Sequence, residues 1–269
     1  FMHSRKFNWL YRSHPDRALR DGQGLYTPRG KMLGGSSGIN AMIYTRGLAS
    51  DYDRWAANGC SGWSYNDLLP YFKKAEGNQR GKDCYHNDEG PLRVSDVAPW
   101  YPVSKQFLAA CGEYGLPYNA DFNGAQLEGY GAYQFTIADG KRCGAYDAYL
   151  KPALKRANLV VLNECLTERV LFSKRTANGV CYRRGGHRYV ATAGKEVILA
   201  SGAFNSPQIL LRSGIGPAAE LQQSGIELIA DSPDVGNNLQ EHVDISIHVK
   251  NARRDGMTLT PFGLLKLTP

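Results

Sequence analysis

A segment rich in glycine, serine and asparagine contains residue types that could hold a polar or phosphorylated ligand. It spans residues 30–47, and within it the adjacent Gly34 and Gly35 carry no side chains, so the backbone could approach a ligand closely. Ser36, Ser37 and Asn40 would supply short hydrogen-bond donors and acceptors beside that backbone. Taken alone, the pattern more often indicates a tight turn before a buried helix, so local chemistry leaves both interpretations open.

A second segment, residues 201–217, follows the order of a strand, a glycine turn and a helix. The fully apolar run 197–200 is predicted to be a strand buried on both faces of a parallel sheet. It leads through Gly202 into a helix predicted over 207–212. Because the backbone N–H groups at a helix N-terminus attract negative charge, this order predicts an anion-binding position.

The histidines and cysteines are too dispersed to predict a metal centre or a redox dithiol. Zinc ribbons and dithiol motifs need two cysteines close together in sequence, and the chain contains no Cys-x-x-Cys pair. We therefore predict no metal site, and we expect the cysteines to be buried, reduced thiols of a cytosolic-type protein. The residues concerned are His3, His14, His86, His187, His242 and His248, and Cys60, Cys84, Cys111, Cys143, Cys165 and Cys181.

Helical spacing of apolar residues dominates the chain between residue 50 and residue 157. Ser64 is expected to cap a helix over 65–76. A helix over 102–114 should end at Gly115, because glycine readily adopts the left-handed backbone that stops a helix. We further expect an extended surface segment over 1–30, helical turns over 50–58, a polar loop over 78–89 and an amphipathic helix over 145–157.

Short apolar runs separated by turn signals replace the helical pattern beyond residue 158. Turn signals at 177–179 and 184–187 make the middle runs an antiparallel meander. The whole pattern predicts a mixed α/β protein. The predicted strands are 159–162, 169–172, 179–182, 187–190 and 197–200.

Composition excludes several classes of protein. The chain has 269 residues, of which 42% are hydrophobic and 21% charged, and such a chain can bury a core without disulfides or metals. The formal net charge is +7, but the basic residues are scattered singly or in pairs, so we expect no nucleic-acid partner. No apolar stretch approaches the roughly 18 residues of a membrane-spanning helix. Both ends are typical of cuts through a larger protein.

The two glycine-rich segments together resemble the paired signatures of the glucose-methanol-choline (GMC) family of flavin oxidoreductases. The resemblance covers nearly the whole chain in order, and two long signatures at the family's separation are far more specific than either alone. Residues 28–33 and 51–76 are most similar to the choline dehydrogenase and primary-alcohol dehydrogenase branch. Further matches lie at 51–55, 62–65, 69–72, 149–150 and 235–242.

This resemblance implies an incomplete, doubly wound FAD-binding domain interleaved with a substrate domain built on an antiparallel sheet and helices. Val170 matches a residue whose main chain meets the adenine of FAD. Ala200 and Gly202 match small residues after the strand that returns to the dinucleotide, and Asn238 lies in a motif packed near the cofactor. The positions implied to lie along the FAD pyrophosphate and flavin ring are Leu33, Gly34, Gly35, Ser36, Asn40, Ala41, Met42 and Ile43.

The same resemblance implies a division into four portions. Residues 1–76 and 158–242 would belong to the FAD-binding domain, 77–157 to the substrate domain, and 243–269 to the start of the remaining substrate domain. It also implies a small alcohol substrate, choline-like or aliphatic, and an electron acceptor that the sequence does not identify. The expected location is cytoplasmic, with peripheral attachment to the inner membrane as an alternative.

Two elements of the family are not matched in this sequence. The Gly-x-Gly-x-x-Gly fingerprint that follows the first strand of a dinucleotide fold is absent, and the family's catalytic histidine and its partner belong to a segment beyond the matched region. No residue is therefore assigned as catalytic, and we expect negligible alcohol oxidation by this chain alone. A non-catalytic truncated product and a flavin-containing hydroxynitrile lyase remain as alternatives. Cys143, Ser201 and Glu241 differ from the residues that are usual in the family at these positions, and these differences affect the assignment to a substrate branch.

Overall fold

The computed structural model describes residues 3–15, 17, 22–97 and 101–242. Within the described residues the chain divides into two compact units, the first lying within residues 3–159 and the second within residues 160–242. In the described part of the chain, each unit contains both helices and strands. This content agrees with the predicted mixed α/β class.

Three α-helices of the first unit begin and end where residue chemistry predicts. They are α1 (Ala49–Ala57), α2 (Tyr65–Ala75) and α3 (Pro102–Glu113). Ser64 caps α2, since its hydroxyl accepts the backbone N–H of Asp67 and the Asp67 carboxylate accepts the N–H of Ser64. Pro102 is the first residue of α3, and Gly115 beyond the end of α3 has a left-handed φ of 87°. The predictions for α2 and α3 are confirmed.

The helix expected over 145–157 is shorter and wider than predicted. A π-helical turn covers Tyr146–Leu150, and the α-helix after it, α4, covers Lys151–Ala153. Pro152 explains the difference, because it has no N–H to bond the carbonyl of Ala148 and its ring crowds that carbonyl. The turn before the proline therefore widens to the π-helical hydrogen-bond pattern.

Short strand pairs complete the first unit and flank its glycine-rich segment. They are β1 (Tyr11–Arg12) with β2 (Tyr26–Thr27), β3 (Ile43–Tyr44) with β6 (Gln134–Phe135), β4 (Glu76–Asn78) with β5 (Leu92–Val94), and β7 (Ile137–Ala138) with β8 (Lys141–Arg142). The β4 and β5 pair is parallel, and the other three pairs are antiparallel. The polar loop predicted over 78–89 begins within β4 and otherwise lies between these two parallel strands.

The second unit contains the predicted antiparallel meander. Its strands are β9 (Leu166–Ser173), β10 (Thr176–Arg184) and β11 (His187–Thr192), in the order β11-β10-β9. The turn predicted at 184–187 is confirmed, since Gly185 and Gly186 both have positive φ. The turn predicted at 177–179 is wrong, because these residues form a bulge inside β10. A Cβ on Gly179 would lie 2.4 Å from the carbonyl oxygen of Ala191, so glycine there permits close pairing with β11.

Two strands predicted in the second half of the chain are not strands. Residues 159–162 and 197–200 lie outside helices and strands, and none of the described strands pairs with them. The helix expected from Pro207 also begins earlier, since α5 spans Gly202–Arg212. A parallel pair, β12 (Ile215–Gly216) with β13 (Ala230–Asp231), follows, with α6 (Ala218–Gln223) between its strands.

Candidate cofactor site

The glycine-rich segment forms an open turn whose backbone conformation favours glycine. Gly34 and Gly35 have φ values of 85° and 56°, and the Gly35 N–H donates to the Met32 carbonyl at 2.9 Å. A Cβ on Gly30 would lie 2.3 Å from the carbonyl oxygen of Gly35, so backbone closes this side of the turn. Among the described residues, no atom lies within 4 Å of the place of a Cβ on Gly35. The turn has one packed side and one open side, as a backbone cradle for a ligand requires.

Two serines brace this turn from within. The Ser36 hydroxyl accepts the N–H of Gly30 at 3.0 Å. The Ser37 hydroxyl donates to the Gly34 carbonyl at 2.6 Å and accepts the N–H of Ala145 at 2.9 Å. The hydroxyl oxygens that the sequence suggested as ligand groups thus also hold the backbone in place.

Arg142, which the sequence does not single out, fixes the end of the same segment. Its Nη1 donates to Oδ1 of Asn40 at 2.6 Å and to the Ser37 carbonyl at 2.9 Å, and its Nη2 donates to the Asn40 carbonyl at 3.0 Å. The Asn40 side chain in turn accepts the N–H of Met42 at 3.2 Å. No local signal marks Arg142, because it meets Asn40 across 102 positions of the chain.

The part of the segment that leads into β3 carries exposed apolar side chains. Leu33 is 42% exposed and Ile43 is 45% exposed, and Ala41 beside them is exposed as well. Met42 has a φ of 63°, which is uncommon for a residue with a side chain, and its carbonyl accepts the N–H of Thr136 at 2.8 Å. Exposed apolar groups next to an open polar turn suit a ligand that carries both a flat ring and phosphate groups.

A cluster of buried charged side chains begins at Arg46, just beyond β3. Arg46 and Glu76 form an ion pair at 2.6 Å, with side chains 4% and 0% exposed. His86 bonds Glu76 through Nδ1 and Asp121 through Nε2, each at 2.9 Å. These hydrogen bonds, first with Asp121 and then with Glu76, raise the pKa of His86 to about 9. The imidazole therefore carries a positive charge at neutral pH.

Buried amide side chains connect this charged cluster to β3 and β6. Asn123 accepts the N–H of Arg46 at 2.7 Å and donates to the carbonyl of Tyr44 at 3.1 Å. Asn78 and Gln134 exchange two hydrogen bonds, of 2.9 and 3.1 Å. Asn78 also donates to the carboxylate of the buried ion pair at 2.8 Å. Sequence reasoning missed all of these residues.

The positions predicted in the second unit lie on separate elements. Val170 on β9 is 5% exposed, and its N–H donates to the Ser213 hydroxyl at 2.8 Å. Gly202, the first residue of α5, has a φ of 83° and no described atom within 4 Å of its Cβ position. Ala200 and Asn238 are exposed. The predicted glycine and helix N-terminus are present without the strand before them, and the roles of all twelve positions toward FAD stay predictions.

A cavity of about 290 Å³ in the second unit lies among charged residues that were not predicted as site residues. Glu168 forms ion pairs with Arg183 and Arg188, at 2.5 and 2.9 Å. The lining carries one carboxylate against three guanidinium groups and therefore keeps a net positive charge. The lining residues are Glu168, Arg169, Cys181, Arg188, Arg212 and Ile226, and none of them is a predicted cofactor position.

The expectation of buried thiols holds for half of the cysteines. Cys111, Cys143 and Cys181 are buried and free, whereas Cys60 and Cys84 are exposed. The two exposed thiols lie in loops, where little covers them. Within the described part of the chain, no group of three or more His, Cys, Asp or Glu residues is arranged to hold a metal ion. Nor does any helix there have the length and apolar character needed to cross a membrane.

Most of the chain is similar to curated proteins of one family. The family model for GMC oxidoreductase matches residues 7–244. Human mitochondrial choline dehydrogenase is 48% identical over 242 residues, which cover 90% of this chain and 41% of the human protein. The oxygen-dependent choline dehydrogenase of Rhizobium etli is 43% identical over 243 residues, which cover 90% of this chain and 44% of that protein.

Solved structures are similar to the same part of the chain. Pyridoxine 4-oxidase from Mesorbium loti has a TM-score of 0.80 at 31% identity, over 86% of this chain and 45% of that one. An FAD-dependent oxidoreductase from Chaetomium thermophilum has a TM-score of 0.79 at 31% identity, over 84% of this chain and 42% of that one. The chain thus spans less than half the length of these relatives. The predicted family, fold class and FAD cofactor are confirmed: the chain belongs to the GMC oxidoreductase family of flavoproteins.

Proposed function

We propose that residues 33–43 of this chain contact FAD, and that the enzyme containing the chain oxidises a primary alcohol of the choline type. The open glycine turn at Gly34 and Gly35 carries the cofactor part of this proposal. The choline dehydrogenases that are 48% and 43% identical to the chain support the substrate part. The electron acceptor is left open.

The residues present fit a dinucleotide with a flavin ring. Gly35 leaves open space where a side chain would stand, so phosphate oxygens or ring edges could reach the backbone. Leu33 and Ile43 expose apolar surface that an isoalloxazine ring would cover. The proposed contacts of the second unit are Val170, Ala200, Gly202 and Asn238.

The protein groups described here would hold and orient the ring. The chemistry that bound FAD would supply is a two-electron acceptor for the hydride of the carbinol carbon, with the alcohol converted to an aldehyde. Arg142 and Ser37 keep the glycine turn in its open conformation. The hydroxyl proton of the alcohol must pass to a base. His86 is committed to two carboxylates, so we assign the base to the family's histidine segment beyond the matched region.

The domain division and the location are proposals of the same kind. Residues 1–76 and 158–242 are assigned to the FAD-binding domain, and 77–157 and 243–269 to the substrate domain. A cytoplasmic location, with peripheral attachment to the inner membrane as the alternative, completes the proposal.

Titration of FAD into the 269-residue chain, followed by flavin fluorescence, tests the cofactor contact. Gly35→Ala should weaken FAD binding about tenfold, because the new methyl group fills the open side of a turn with positive φ. Gly140→Ala is the matched control, since Gly140 also has positive φ, of 71°, and open space around its Cβ position. It lies between β7 and β8, and its replacement should leave FAD affinity unchanged. Equal losses in both variants, or no saturable binding by the wild-type chain, would contradict the proposed contact.

The substrate class is tested with the longest gene product that contains this chain, loaded with FAD. Anaerobic choline should bleach the flavin absorbance, and an artificial electron acceptor should sustain turnover. The 269-residue chain alone should show negligible bleaching, because it is proposed to lack the base. Cyanohydrin cleavage without flavin reduction would favour the lyase alternative, and flavin binding with neither activity would favour a non-catalytic product. Bleaching by the short chain would contradict the placement of the base.

A further inference from the structure

The buried cluster of the first unit is electrically balanced. Two carboxylates, Glu76 and Asp121, face two cations, Arg46 and His86, and the four side chains are 0%, 31%, 4% and 7% exposed in that order. Removing one partner of a buried ion pair leaves the other charge without compensation in a poorly polarisable interior, which is strongly unfavourable. The four groups therefore depend on one another for their positions.

His86 joins the two carboxylates of this cluster. Its ring donates toward Glu76 from Nδ1 and toward Asp121 from Nε2. An imidazolium carries its two donors on opposite sides of a rigid ring, so it can hold two carboxylates at a fixed separation. The side-chain amide of glutamine has both N–H groups on one nitrogen and cannot reproduce this bridge.

From Asp121, hydrogen bonds lead directly to β3. The Asp121 carboxylate accepts the backbone N–H of Asn123 at 2.9 Å. The Asn123 side chain in turn holds the Tyr44 carbonyl at 3.1 Å and the Arg46 N–H at 2.7 Å. The end of β3 at Tyr44 and the backbone of Arg46, two residues beyond it, are thus fixed by a side chain that Asp121 supports.

From Glu76, a second route reaches β6, the partner of β3. Glu76 accepts a hydrogen bond from Asn78, which exchanges two hydrogen bonds with Gln134. Gln134 pairs with Tyr44 in the strand register. Because the β3 and β6 pair is only two residues long on each side, its position depends on such outside contacts.

We propose that His86 is a positioning residue for the cofactor segment: by bridging Glu76 and Asp121 it fixes β3, and with it the backbone of Met42 and Ile43 beside the flavin. This inference rests on the proposed function, which assigns residues 33–43 to FAD. His86 bonds none of those residues and acts through its two carboxylate partners. Met42, whose φ is 63°, is a residue whose conformation needs such outside support.

Hydrogen exchange combined with FAD titration of the 269-residue chain tests this role. His86→Gln removes the bridge, and Asp121→Asn, at a more exposed position, serves as the second variant where His86→Gln fails to fold. In both, amide exchange at 42–46 and 134–136 should accelerate about tenfold, while α1 and α3 keep wild-type rates. FAD affinity should fall about tenfold, and the visible circular dichroism of saturating FAD should change. His187→Gln, at an exposed histidine of β11, should behave as wild type.

The outcomes separate this inference from the proposed function. Wild-type exchange at 42–46 in both variants, or a uniform acceleration across the first unit, overturns the positioning role. Unchanged FAD affinity and unchanged visible circular dichroism in both variants also overturn the positioning role. The proposed cofactor contact then stands. If the wild-type chain does not bind FAD, the proposed contact fails, and the exchange rates alone decide whether His86 fixes β3.

Discussion

Two regions of the molecule, the buried charged cluster around Glu76 in the first unit and the exposed apolar runs near Val160 and Ile198 in the second, contrast in what they bury. In the first unit the carboxylate of Glu76 is fully buried, whereas in the second Val160 and Ile198 are 78% and 76% exposed. Charged side chains are rarely buried unless they are paired, and large aliphatic side chains are usually inside. The comparison shows that the availability of a partner, more than residue type alone, decides what this protein buries.

The charged cluster shows burial with partners present, and the apolar runs show exposure where no described strand is a partner. In the first unit, Arg46, Asn78 and His86 surround Glu76 with donors, so burial leaves its carboxylate satisfied. The apolar runs 159–162 and 197–200, which lie in the second unit except for Leu159, pair with none of the described strands. Of their side chains, Val160, Leu162 and Ile198 are exposed to solvent.

The largest expected effect on stability comes from removing the negative charge of Glu76, at the centre of the buried cluster of the first unit. Glu76→Gln should lower the free energy of unfolding by about 3 to 5 kcal/mol, because it leaves Arg46 as a buried cation without its carboxylate and His86 with Asp121 alone. Urea unfolding followed by hydrogen exchange in the first unit measures the loss.

An exposed ion pair provides the control for that change. Arg80 and Asp96 are 2.7 Å apart, with side chains 37% and 46% exposed, so Asp96→Asn should cost less than about 1 kcal/mol. Similar losses in the two variants would show that burial does not make the cluster special.

Local features of the fold were predictable from the sequence. The cap at Ser64, the stop at Gly115 and the glycine turn at 184–187 each depend on residues within a few positions of one another. The open turn at Gly34 and Gly35 was predictable for the same reason. Such features follow from backbone preferences that a single sequence displays.

Features that depend on distant partners were not predictable. The Arg46 and Asn123 contact spans 77 positions, and the Arg142 and Asn40 contact spans 102. The runs 159–162 and 197–200 have the composition of buried strands, but composition does not supply the neighbouring strand that a ladder needs. The buried cluster and the two incorrect strands thus have the same physical cause.

A matched pair of isoleucines tests whether the exposed apolar run 197–200 of the second unit contributes to stability. Ile209 on α5 is 5% exposed and Ile198 is 76% exposed. Ile209→Ala should lower the free energy of unfolding by about 2 to 4 kcal/mol through lost burial and a cavity. Ile198→Ala should change it by less than about 0.5 kcal/mol and should reduce binding of a hydrophobic dye. A comparable loss of stability at Ile198 would mean that its side chain is buried in solution.

The smallest expected effect is a pH dependence confined to the first region. The folded pKa of His86, about 9, lies above its ordinary value of 6.5, so the stabilisation is complete below pH 6.5 and is lost as pH rises through 9. Charge loss leaves two carboxylates against the single cation Arg46. The full shift corresponds to about 3 kcal/mol, and solvent screening at the 31% exposed Asp121 reduces the expected loss to on the order of 1 to 2 kcal/mol. Urea unfolding of the wild type and of His86→Gln between pH 6.5 and pH 9 measures it. The variant should lack the decline and His187→Gln should keep it; a wild-type curve that is flat over this interval would mean that the carboxylates do not depend on a charged His86.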